Sequence, residues 1–176
     1  CGMFEVKAAV RGEYAMVLDF YDRLTDGMEH AEFPPGWKKR VYPTEDFLRE
    51  SIARGELFLG RLDGAPAGVM VLNHISTDGY ARVAWNVDAP AEAVTVIHAL
   101  GVAPERQGRG LAKQLVRQAI HIARTKRQRA LRLDVLGTNL PAQKLYTAMG
   151  FQYRTTLKLF YEDTGTTDYL LYELVL

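Results

Sequence analysis

The feature that most constrains this chain is a change of hydrophobic period across a glycine-rich turn. Ala93 to Val102 is an apolar run between the Ala89-Pro90-Ala91 break and Pro104, and it reads as a buried strand. From Gly110 the period lengthens. Leu111, Leu115, Val116, Ala119, Ile120 and Ala123 fall on one face of a helix ending near Arg127. Leu131, Leu133 and Val135 then alternate as a second strand. Strands joined through a helix pair in parallel by a right-handed crossover, so a parallel pair is expected at the centre of the molecule.

The flanking segments predict hairpins and short helices. Val17, Phe20, Tyr21 and Leu24 have helical spacing, with Gly27 as the expected stop. Met28 to Tyr42 has no period. Thr44 is an expected N-cap, with Glu45 and Asp46 in the first turn and Gly55 behind the helix. Leu57 to Leu62 and Ala67 to Ile75 read as strands around Asp63-Gly64, and Pro66 leaves the loop length open. Tyr80 to Trp85 is expected as a short strand. Leu140 to Met149 is a helix stopped by Gly150, and Phe151 to Tyr161 and Asp168 to Leu176 are strands around Asp163-Thr164-Gly165. The class is therefore α/β with a mixed sheet. No repeat or linker interrupts the chain, so 1–176 is read as one domain. Cys1 and Gly2, preceding Met3, are set aside as a remnant of protein production.

Composition narrows the function classes. A net charge of +1 gives no general pull toward nucleic acid or a membrane. Arg124, Lys126, Arg127, Arg129 and Arg132 are read mainly as a solvated helix end complementing the dipole. One cysteine and no ligand spacing among the histidines predict no disulfide and no metal. No apolar run approaches the roughly 18 residues of a membrane span. A cytoplasmic protein is the resulting expectation.

The turn itself is Val102-Ala-Pro-Glu-Arg-Gln-Gly-Arg-Gly-Leu-Ala112. It leads a strand into a helix N-terminus, where free N–H groups and the positive dipole end attract anions. Gly108 and Gly110 leave the backbone approachable and permit positive φ. A Walker A loop is excluded, because no Gly-Lys-Ser/Thr follows. A dinucleotide fingerprint fits poorly without a third glycine in register. A tight strand-to-helix turn with no ligand remains the alternative for the glycines alone.

Gln107-x-x-Gly110-x-Ala112 resembles the Arg/Gln-x-x-Gly-x-Gly/Ala signature of the GNAT acetyltransferases. Asn139-x-x-Ala142-x-x-x-Tyr146-x-x-x-Gly150-Phe151 is similar to the second marker of that superfamily. The resemblance runs from about residue 45 to 176 and leaves residues 1–44 unmarked; Ala112 replaces the commoner glycine. It implies a GNAT-type, mostly antiparallel sheet with a central splayed parallel pair, flanked by about four helices. It also implies acetyl-CoA as co-substrate. Main-chain groups of Gln107, Gly108, Arg109, Gly110, Leu111 and Ala112 would hold the pyrophosphate. Pantetheine would run along Leu100, Gly101 and Val102, near Ala142, with Gly101 at the bulge that opens the strands. Asn139 would reach the pantetheine amides, or cap the following helix, or both.

The same resemblance makes Tyr146 the proton donor to the leaving thiolate; the alternative is a core aromatic on an amphipathic helix. His98 has two readings of equal standing. It is the general base, in a run similar to the His-Ala-Leu-x-Val segment of arylalkylamine N-acetyltransferases, or it is a buried histidine sharing a face with Val96 and Leu100. Asp134 would orient its ring or satisfy local backbone. Trp37, Tyr42 and Trp85 are expected to wall the acceptor site or to cap the core, while Asp26, Glu29 and Glu32 offer carboxylates to a cationic amine. The expected activity is transfer of acetyl from acetyl-CoA to an amine by direct attack in a ternary complex, with a small-molecule amine as acceptor. A peptide or protein N-acetyltransferase, a non-catalytic acyl-CoA sensor and an unrelated phosphate-binding regulator are the alternatives. Retention of Tyr146 argues against a sensor, which needs no proton donor. A homodimer through an exposed edge near Asp168–Leu176 is a further expectation.

Overall fold

In the computed structural model, which describes residues 2–176, seven strands form one sheet in the order β1-β2-β3-β4-β5-β7-β6. They are β1 (Phe4–Ala8), β2 (Leu57–Leu62), β3 (Ala65–Asn73), β4 (Val94–Val102), β5 (Ala130–Leu136), β6 (Gln152–Tyr161) and β7 (Gly165–Val175). The α-helices are α1 (Tyr14–Met28), α2 (Glu45–Ala53), α3 (Leu111–Thr125) and α4 (Leu140–Ala148). All neighbouring strands are antiparallel except β4 and β5, which run parallel. The expected α/β class and central parallel pair are both observed. Cys1 lies outside the described residues.

The two faces of the sheet are covered by different helices. The apolar stripe of α3 (Leu111, Leu115, Val116, Ala119, Ala123) packs with Met70, Ile97, Leu131 and Leu133 on one face. Each fully buried leucine there contributes about 2 kcal/mol of transfer free energy. On the other face, Val17, Phe20, Tyr21 and Leu24 of α1 and Leu48 and Ile52 of α2 cover Val69, Val71 and Ala99. Thr44 caps α2 as expected, its side chain accepting from the Phe47 N–H at 3.1 Å.

Four local expectations are corrected. The helix α1 runs through Gly27, because a side chain there would meet Pro104 at 2.8 Å and the missing Cβ is a packing requirement, not a stop. Tyr80 to Trp85 is no strand; Asp78–Arg82 is a 3-10 turn, and the Trp85 indole donates to the Tyr80 carbonyl at 2.9 Å. Strand β3 begins at Ala65, and a register shift at Gly60/Arg61 accommodates Pro66, which has no N–H for the ladder. The edge near Asp168–Leu176 is not exposed, because β7 lies between β5 and β6. The outer strands are β6 and β1, and β1 went unread because five residues on a half-exposed edge carry little pattern.

One buried ion pair ties the sheet to the β3–β4 connection. Arg132 and Glu173 are register partners on β5 and β7, and Arg132 Nε donates to Glu173 Oε2 at 3.0 Å. The other carboxylate oxygen accepts the Asn86 N–H at 2.7 Å, and Arg132 also donates to the Val87 carbonyl. The guanidinium lies 4.3 Å from the Trp85 ring centroid. Glu173 is fully buried. Glu173→Gln should therefore leave an uncompensated buried cation and cost about 3–5 kcal/mol. A urea midpoint within error of the parent would contradict this account.

Candidate active site

The site originates where β4 and β5 part. Their parallel ladder runs from Val94↔Ala130 to Val96↔Arg132 and goes no further. Across β4, the register with β3 slips between Val69↔Gly101 and Val71↔His98, so β4 carries an extra residue there. Ala99 sits at φ 50 and its carbonyl accepts the buried Tyr21 hydroxyl at 2.7 Å. The bulge therefore falls at Ala99 and not at Gly101, where it was expected. Gly101 instead gives clearance to its neighbours, since a Cβ there would meet Leu24 at 2.6 Å and Trp37 at 3.2 Å. The extra residue also flips the alternation, so Leu100 packs with the α3 side while Ala99 packs with the α1 side. His98 consequently does not share a face with Leu100.

The parting strands open a cavity of about 120 Å³ that reaches through the sheet. Asn139, Ala142 and Tyr146 line it from the α4 side, and Trp37 and Tyr42 from the segment before α2. His98, Leu100 and Asp134 line it from the strands themselves. A second depression of about 500 Å³ adjoins it, sharing Pro35 and Trp37 and bounded by Asp26, Met28 and Glu29. Asp26 is paired with Lys39 at 2.8 Å. Trp85, expected beside Trp37 and Tyr42, is not among the cavity residues, since its ring is held under Arg132 and against Tyr80.

Both titratable groups at the opening are perturbed, in opposite senses. His98 Nε2 lies 2.7 Å from Asn73 Oδ1 and 2.9 Å from the Ile75 carbonyl. Asn73 Oδ1 also accepts the Ile75 N–H at 2.9 Å. Both partners of Nε2 are acceptors, so the proton sits on Nε2 and the neutral ring has its lone pair on Nδ1. Burial lowers the His98 pKa to about 4, against a smaller opposing effect of the Ile75 carbonyl. Asp134 does not orient this ring. Its Oδ2 accepts the hydroxyls of Tyr80 at 2.7 Å and Tyr161 at 2.9 Å. Burial raises the Asp134 pKa, and the two phenols offset part of that rise. Tyr146 is buried edge-on to Phe151, and desolvation, then the charge of Asp134, raises its pKa.

The phosphate turn lies on the α3 side, at the N-terminus of α3. Gly110 is the N-cap at φ 74 and no side chain caps the helix, so the first-turn N–H groups are available. Gly108 stands at φ 81, and nothing lies within 4 Å of a Cβ on either glycine. Gln107 reaches back toward the Val102 carbonyl at 3.5 Å. Arg109, Leu111 and Ala112 complete the turn, with Leu111 buried in the core. An open, uncapped helix start of this kind would suit the pyrophosphate of CoA. Asn139 accepts the Ala142 N–H through Oδ1 at 3.3 Å and also lines the cavity, so capping the helix does not withdraw it from the cavity.

A mixed sheet split at its one parallel pair, with an uncapped helix start and a buried tyrosine on one side of the split, is the arrangement expected of an acyltransferase that uses a CoA thioester. Known proteins agree with this assignment. The sequence model of the Acetyltransferase (GNAT) family matches residues 21–151, and the chain belongs to that family. A Bacillus subtilis protein carrying the provisional name [ribosomal protein bS18]-alanine N-acetyltransferase is 33% identical over 161 residues, 92% of this chain and 91% of that one. The N-alpha-acetyltransferase RimI of Mycobacterium tuberculosis is 32% identical over 74% of this chain and 73% of its own. The Salmonella typhimurium protein yncA, solved with its cofactor acetyl-CoA, shares the fold at a TM-score of 0.69 and 17% identity, over 98% of this chain and 93% of that one. The protein is an acetyl-CoA-dependent N-acetyltransferase.

Gly110 offers a direct check of the turn. Gly110→Ala introduces backbone strain at positive φ, and Gly110→Asp adds a carboxylate to the same strain. Calorimetry should find acetyl-CoA binding more than about tenfold weaker in the aspartate than in the alanine variant, because like charges would meet. Equal affinities in two folded variants would remove the pyrophosphate from this turn.

Proposed function

We propose that this enzyme acetylates the α-amine of a peptide or protein N-terminus, with Asp134 taking the amine proton and Tyr146 supplying the thiol proton. The observation that carries the acceptor class is a second depression of about 500 Å³ that adjoins the cavity at Pro35 and Trp37. A small amine would be contained in the cavity, whereas a chain attached to the amine needs an exit of this kind. The relative named for alanine N-acetylation, matched over nearly the whole chain, supports the same class. This replaces the expectation of a small-molecule acceptor.

Acetyl-CoA, when bound, supplies an acyl group that moves from sulfur to the acceptor nitrogen. The residues provide for its two proton transfers. An amine arrives largely as ammonium and must lose a proton, and the departing thiolate must gain one. Burial lowers the pKa of His98, whose ring is tied through Nε2, and raises that of Asp134, whose Oδ1 carries no hydrogen bond among the described residues and is open to a proton. Its negative charge also attracts the ammonium, which a neutral imidazole does not. His98, tied through Nε2, forms a wall of the opening. Tyr146, on the α4 side, reaches the sulfur side. Its raised pKa keeps it protonated and able to donate; complete transfer from a phenol (reference about 10) to a thiolate (about 8.5) is uphill, so hydrogen bonding to developing charge is the larger contribution.

Thiol release should be fastest with peptides bearing a free N-terminus, by about tenfold or more in kcat/KM over simple primary amines, a difference of about 1.4 kcal/mol. The same peptides with a blocked N-terminus should not turn over. Small amines matching the free peptides would return the acceptor to a small molecule.

Tyr146→Phe should lower kcat by about 10²–10⁴-fold with acetyl-CoA affinity retained. An unchanged kcat with chemistry rate-limiting would make Tyr146 a core residue.

A further inference from the structure

Two phenols from segments far apart in sequence converge on one oxygen of Asp134. Tyr80 comes from the 3-10 turn between β3 and β4, and Tyr161 from the last residue of β6. Both hydrogen bonds of the carboxylate fall on Oδ2. Each phenol is itself braced. The Tyr161 ring packs against Tyr42 and Tyr169, with centroids 5.6 and 5.0 Å away. The Tyr80 carbonyl accepts the Trp85 indole N–H, and Trp85 is gripped by the buried Arg132–Glu173 pair.

We propose that Tyr80 and Tyr161 are positioning residues for acetyl transfer, holding the Asp134 carboxylate in one rotation so that Oδ1 faces the acceptor amine. The inference rests on the reading of Asp134 as the proton acceptor. An aspartate's terminal torsion is broad and roughly two-fold, so an unheld carboxylate samples many orientations. Two donors on one oxygen remove that freedom before the acceptor arrives. They also favour the charged form of a group that burial pushes toward protonation, which keeps it competent as a base.

The other groups facing Asp134 do not duplicate this role. Tyr42, Tyr146 and Tyr169 surround it, each with its pKa raised by burial and by the charge of Asp134. Asp163 at the β6–β7 turn is a second carboxylate, bonded to the Thr164 N–H. His98 is engaged by Asn73 and Ile75, and Arg132 by Glu173.

The test is the pH dependence of kcat/KM in the full chain, with two peptide acceptors of different amine pKa to separate the amine's own ionisation. Asp134→Asn should abolish the enzyme's acidic limb. Tyr161→Phe and Tyr80→Phe should each move that limb upward by about one pH unit, the scale on which one hydrogen bond to a carboxylate acts. The sign follows because losing a donor disfavours the carboxylate, so a higher pH is needed to form the base. Acetyl-CoA affinity by calorimetry should stay at the parent value and verify folding; should one phenylalanine variant unfold, the other carries the test. A uniform loss of rate with the limb unmoved, while Asp134→Asn abolishes it, would overturn the positioning role and leave the base in place. A limb that persists in folded Asp134→Asn would overturn the base assignment and the positioning proposal with it.

Discussion

The parting of β4 from β5 beyond Val96↔Arg132 is the constraint from which the rest of the site follows. A sheet whose central strands stay paired has no interior to offer a ligand, because its main-chain groups satisfy one another. Here the ladder ends in the middle of both strands. Two residues further along, each strand presents a titratable side chain, His98 on one and Asp134 on the other. The opening joins the α3–α4 face, where the uncapped start of α3 and Tyr146 lie, to the α1–α2 face, where Trp37 and Tyr42 lie. Two reactants can therefore approach from opposite sides and meet between the strands.

Holding two strands apart needs support from outside the ladder. On β4 it comes from the bulge at Ala99, whose displaced carbonyl is satisfied by Tyr21 of α1. A buried carbonyl without that partner would cost about 1–3 kcal/mol, enough to favour re-pairing. On β5 it comes from β7, which stays paired with it from Ala130↔Val175 to Leu136↔Tyr169. The Arg132–Glu173 pair locks the same two strands at the last residue before the gap and fastens the β3–β4 connection to them at Asn86 and Val87. A buried ion pair is weak evidence of stability by itself. Its value here is geometric, since it sets where Trp85 and Tyr80 stand.

The burial that makes the opening also sorts its chemistry. Removing water penalises whichever form is charged, so it drives the imidazole toward a lower pKa and the carboxylate toward a higher one. One cause thereby drives the two groups in opposite directions. Hydrogen bonding completes the distinction. His98 is tied to acceptors at Nε2, while Asp134 is tied to donors at Oδ2. Reading a base from residue type and strand position alone favours histidine, because its reference pKa is near neutrality. Burial works against that preference, since it lowers the His98 pKa to about 4.

What the sequence determined by itself was whatever depends on neighbours along the chain. Periodicity placed α3, α4 and the strands around them, and the glycines of the turn with the spacing from Asn139 to Phe151 pointed to the family. Thr44 and Asn139 were legible as caps because capping acts over three residues. The tertiary structure decided whatever depends on contacts between distant segments. The bulge moved from Gly101 to Ala99 because α1 supplies a hydroxyl to one carbonyl and packs against the missing side chain of the other residue. Trp85 left the acceptor wall because Arg132, on another strand, holds its ring. The phenols of Tyr80 and Tyr161 carry no mark of their shared partner in the sequence. Their meeting at Asp134 is set by the order of strands and by a buried ion pair, and neither has a local signature.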